Sequence, residues 1–106
     1  PEPTPSLEPL LQASAALVEA RFPDLQCLYA FGSRAAGRER PDSDLDLAIL
    51  CPEALDPLKV WDCAQAVAVA TGVDTDLVDL RAASTVLRFQ VLAEGRPILV
   101  RDTTAQ

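Results

Sequence analysis

The chain has 106 residues, 49% of them hydrophobic, which suits one compact domain with its own core and excludes a largely disordered polymer. Its formal net charge is −7 with nine basic residues, so it lacks the basic face with which a general nucleic-acid binder displaces counterions. There is no histidine, and with it go imidazole bases, Ser-His-Asp triads and His-ligated zinc.

In chain order, Pro1 to Pro5 reads as an extended, flexible lead-in. Ser6 suits an N-cap and Pro9 the first turn of a helix. Leu7, Leu10, Leu11, Leu17 and Val18 carry that helix at helical spacing to about Arg21, and Pro23 stops it. Leu25 to Phe31 is an apolar run closed by Gly32, the pattern of a strand. Arg34 to Ser43 is polar and basic, with Gly37 and Pro41, and reads as a loop. Asp44 to Leu50 alternates acidic and aliphatic residues with period two, which makes a strand with two unlike faces. Asp56 and Pro57 open a second helix that Gly72 closes. Asp74 to Leu80 repeats the strand alternation, Ser84 to Glu94 forms a third helix before Gly95, and Pro97 to Arg101 is an edge strand. The order α-β-β-α-β-α-β predicts an α/β (α+β) domain, a mixed sheet of about four strands flanked by helices. It spans residues 1–106 as one domain, with 102–106 as a flexible tail.

Cys27, Cys51 and Cys63 are odd in number and lack CxxC spacing, so they read as reduced core thiols. No apolar run is long enough to cross a membrane and the N-terminus has no signal-peptide pattern, so the expected setting is the cytoplasm.

The chemistry concentrates between Phe31 and Leu47. Residues two apart in a strand share a face, so Asp44 and Asp46 project together while Leu45, Leu47 and Ile49 face inward. Two carboxylates about 5 Å apart repel by about 3 kcal/mol at an effective dielectric near 20. A divalent cation between them relieves that repulsion, and hard oxygen ligands favour Mg2+ or Mn2+. A calcium EF-hand loop does not fit, because its sixth position, here Leu47, demands glycine. Gly32 lets backbone N–H groups approach a phosphate, Ser33 adds a hydroxyl donor, and Arg34, Arg38 and Arg40 add positive charge to the same loop. For a third carboxylate, Asp76 repeats the phase of Asp46, acid then aliphatic, whereas Asp79 lies on the opposite face; Asp76 is the first choice and Asp79 the second.

Gly32-Ser33, ten residues, then Asp44-Leu45-Asp46 resembles the GSx10DxD motif of the polymerase-beta-type nucleotidyltransferase superfamily. With Arg34-Ala35-Ala36-Gly37, and with the later Asp76-Leu77-Val78-Asp79-Leu80 and Leu87-Arg88-Phe89-Gln90-Val91-Leu92, it is similar to the minimal nucleotidyltransferase branch, over roughly residues 25 to 101. The resemblance implies that Gly32, Ser33 and Arg34 bind the nucleotide and that Asp44, Asp46 and Asp76 ligate two magnesium ions and carry the catalysis. It also implies AMP transfer from ATP to an acceptor hydroxyl. Many members are encoded with a small HEPN-domain protein. In the best-understood arrangement the transferase, as antitoxin, adenylylates a tyrosine of that HEPN toxin, which implies a hetero-oligomer of the two as an expected assembly. Two other readings stay open: an antitoxin that masks its toxin by binding alone, and a transferase for small molecules. Related chains often continue into a further helical stretch beyond the last strand, whereas this sequence ends at Gln106.

Overall fold

Alternating patterns build the strands β1 (Cys27–Phe31), β2 (Leu45–Leu50), β3 (Thr75–Asp79) and β4 (Arg96–Val100), and apolar stripes build the helices α1 (Leu7–Arg21), α2 (Pro57–Thr71) and α3 (Thr85–Glu94). This computed structural model describes residues 7–32, 37 and 43–101. The expected cap Ser6, the lead-in and the tail lie outside the described residues.

The four strands form one sheet in the order β3-β2-β1-β4. β1 runs antiparallel to β2 and β4, while β2 and β3 run parallel, joined through α2. A parallel pair needs such a crossover, and a helix of 15 residues provides it. Its ends are well specified. The Asp56 carboxylate accepts the Leu58 N–H at 2.9 Å, Pro57 occupies the first position, and Gly72 takes the left-handed conformation at φ 74° that ends the helix. Ser84 caps α3 by accepting the Leu87 N–H at 3.1 Å.

Each sheet face has its own cover. Leu28 and Ala30 of β1, Leu45, Leu47 and Ile49 of β2, and Leu77 of β3 pack with Leu10, Leu11 and Val18 of α1 and Val60, Cys63 and Val67 of α2. Each leucine, isoleucine or valine buried there contributes about 1.5–3 kcal/mol. Ser14 is buried in this layer and donates its hydroxyl to the Leu10 carbonyl at 2.6 Å, so its polar atom is satisfied. On the opposite face Val91 of α3 seals Ala48 and Leu80, with Tyr29, Phe31, Leu50 and Leu87 around them.

Three strands are shorter than their sequence patterns and the fourth is displaced by one residue. β1 starts at Cys27 rather than Leu25, because Leu25 closes the turn after α1, its N–H bonded to the Phe22 carbonyl at 3.1 Å. β2 starts at Leu45 rather than Asp44, where the Leu45 N–H meets the Asp74 carbonyl at 2.8 Å. β3 covers Thr75–Asp79 rather than Asp74–Leu80, and β4 begins at Arg96 and ends at Val100. Cys51 and Cys63 are buried thiols, as expected; Cys27 is half-buried.

Candidate active site

Strand phase decides which side chains meet. Leu45, Leu47 and Ile49 are fully buried under α1 and α2, so Asp46 lies on the α3 side of the sheet. In the antiparallel ladder Phe31 stands opposite Asp46, and in the parallel ladder Asp76 does. Phe31, Asp46 and Asp76 thus form a row across three strands. α3 packs farther along the same face, on Ala48 and Leu80 with Phe31 at its margin, and leaves Asp46 and Asp76 uncovered at the start of β2 and β3. Asp46 is half-buried; Asp76 is exposed, and so is Asp44, which immediately precedes β2.

Burial raises the Asp46 pKa above the usual carboxylate value, and the negative charges of Asp76 and then Asp44 push it further in the same direction. Asp46 therefore lies within electrostatic reach of both other carboxylates.

Gly32 follows β1 directly and holds φ at 78°, a conformation that other residues avoid. A Cβ at this position would stand 3.1 Å from the Asp46 Cγ and deep inside contact with its Oδ2. The glycine thus lets the backbone turn lie flat against the Asp46 carboxylate. Ser33 and Arg34, together with Arg38, Arg40 and Asp42, lie outside the described residues.

Asp79 has a different role. Its Oδ2 accepts the Leu55 N–H at 2.8 Å and its Oδ1 accepts the Arg81 N–H at 3.0 Å, which ties the segment before α2 to the end of β3. Its register partner is Ile49, on the α1 and α2 side. Arg81 adds a bond from Nε to the Cys51 carbonyl. Sequence alternation separated Asp76 from Asp79; it carried no sign of the Leu55 bond.

The donor chemistry suits a small, hard divalent cation. Among the described residues no three metal-ligating side chains form a ready-made cage. Magnesium characteristically takes one or two carboxylates and fills its remaining positions with water and substrate phosphates, and Asp46 with Asp44 or Asp76 offers that partial set.

The family model "Polymerase beta, Nucleotidyltransferase" matches residues 16–104 of the chain. Members of this family generally use divalent metal ions. The chain is 44% identical over 82 residues to the protein adenylyltransferase MntA of Shewanella oneidensis, covering 77% of this chain and 59% of that relative. A toxin–antitoxin crystal structure with AMP-PNP contains a chain that matches at TM-score 0.83 and 39% identity, over 87% of this chain and 74% of the other. A complex of the tri-AMPylated Shewanella oneidensis HEPN toxin with MNT antitoxin matches at TM-score 0.77 and 36% identity, over 89% and 72%. Among the described residues no helix is long and apolar enough to cross a membrane. With the family model spanning most of its length and the sheet bringing Asp46 and Asp76 together beside Gly32, the chain belongs to the polymerase-beta nucleotidyltransferase family.

Proposed function

We propose that this chain is an adenylyltransferase of the antitoxin type, which moves AMP from ATP to a tyrosine hydroxyl of a HEPN-domain toxin in the cytoplasm. The observation that carries the reading is the pairing of Asp46 with Asp76 beside the Gly32 turn. The likeness to a toxin–antitoxin structure with AMP-PNP, and to a complex holding an AMPylated HEPN toxin, supports the nucleotide and the acceptor class.

Asp44 and Asp46 would hold one magnesium ion, and Asp76 would share in holding a second. When bound, the two ions neutralise phosphate charge and lower the pKa of the hydroxyl. The backbone at Gly32 and the Ser33 hydroxyl orient the phosphates, and Arg34 adds positive charge beside them. Asp76 aligns the acceptor oxygen with the α-phosphorus and receives its proton. The new bond joins that oxygen to the α-phosphorus; the bond to the bridging oxygen breaks, and its electron pair departs with pyrophosphate.

The test is incubation of the protein with ATP labelled at the α-phosphate, magnesium and a HEPN-domain toxin. Label on the toxin is expected, together with its loss in Asp44→Ala at unchanged thermal stability. Complex formation without label refutes transfer and favours masking. Label on a low-mass acceptor alone refutes the protein substrate.

A further inference from the structure

We infer that the groove along the outer edge of β3 docks an extended, basic polypeptide segment and delivers its hydroxyl to Asp76. The inference rests on the proposed transfer reaction and adds where the acceptor lies.

Three observations converge there. The first is a cavity of about 550 Å³ between α2 and β3, with Trp61 and Gln65 on one wall and Thr75, Leu77, Asp76 and Asp79 on the other. One of its lining residues is therefore also a member of the carboxylate row.

The second is the backbone. β3 is the terminal strand of the sheet, with no strand on its outer side among the described residues. The Leu45 N–H bonds the Asp74 carbonyl, and the Leu80 N–H bonds the Ile49 carbonyl, so residues 74, 76, 78 and 80 turn their peptide groups toward β2. By alternation Thr75 and Leu77 present theirs outward, into the groove. Such an edge selects an extended chain by main-chain hydrogen bonds, with pockets reading alternate side chains.

The third is charge. The groove lining includes Asp79 and, where it meets the carboxylate row on the other face of β3, Asp76, with no lysine or arginine, in a chain of net charge −7. A segment bearing lysine or arginine beside its hydroxyl complements this wall, and an acidic one is repelled. Trp61, 63% exposed on the rim, supplies the flat apolar surface that protein interfaces favour.

Trp61 is the only tryptophan of the chain and gives a direct probe. The protein is produced with 5-fluorotryptophan and titrated with unlabelled Shewanella oneidensis HEPN toxin while the single fluorine resonance is followed. A saturable shift is expected. Gln65→Lys should raise the KM for the toxin by about three- to fivefold, and Gln65→Glu should lower it, with the KM for ATP and kcat unchanged in both. A resonance that stays put at saturating toxin overturns the inference, whether or not AMP is transferred. Equal toxin KM values in the two Gln65 variants overturn it as well. Absence of label transfer with a shifting resonance removes the reaction and keeps the groove, so the two failures read differently.

Discussion

Gly32→Ala probes the site through one methyl group. Alanine at φ 78° costs about 1–2 kcal/mol in backbone strain alone. Its Cβ would also lie 3.1 Å from the Asp46 Cγ and closer still to Oδ2, so the carboxylate must withdraw by about 1 Å. A misplacement of that size at a reacting centre lowers rates by about 100-fold. The strain should lower Tm by about 4–16 °C, which leaves the domain folded at 20 °C. The assay pairs AMP transfer under single-turnover conditions with circular dichroism melts. A variant that keeps its fold and loses about two orders of magnitude in transfer supports the argument. One that transfers AMP at the parental rate refutes it, because the Asp46 carboxylate would then tolerate displacement.

Asp46→Asn should stabilise the metal-free protein. The folded pKa of Asp46 lies above its unfolded value, so its proton is held more tightly in the folded state. Its contribution is thus fully favourable below the unfolded pKa and is lost as pH rises through the raised one. Removing the charge should therefore raise Tm measured in EDTA at pH 7, and that gain should disappear as pH falls below the ordinary carboxylate range. Asp79→Ala behaves oppositely. It removes the acceptor for the Leu55 and Arg81 N–H groups and should cost about 2 kcal/mol in urea unfolding, yet retain AMP transfer at saturating toxin and 15 °C, where Asp76→Ala abolishes transfer at unchanged stability.

The sequence pattern held the order of the elements and the phase of each strand, since burial of Leu45, Leu47 and Ile49 follows from alternation alone. It also distinguished Asp76 from Asp79 by phase. It did not contain the strand order: β3 joins β2 on the side away from β1 through a crossover helix, and only that choice sets Asp76 beside Asp46. Nor did it show how tightly Gly32 meets Asp46, because that contact depends on where the chain goes after β1. The Asp79–Leu55 bond links residues 24 positions apart and has no local signature. Strand ends shifted by one or two residues because ladder bonds to neighbouring strands, rather than side-chain pattern, decide where pairing begins.

The parallel pairing of β2 with β3 makes catalytic assembly a matter of parity. Sliding β3 by a single rung would move its backbone by only about 3.3 Å, but Asp76 would swing beneath the sheet into the oily layer of Val60 and Val67. Leu77 would surface in its place. The segment between Ile49 and Thr75 can therefore change length or composition freely over evolution only if the dry underside of β3 keeps locking the same rung. The aliphatic residues of that dry face thereby decide whether Asp76 meets Asp46 at all.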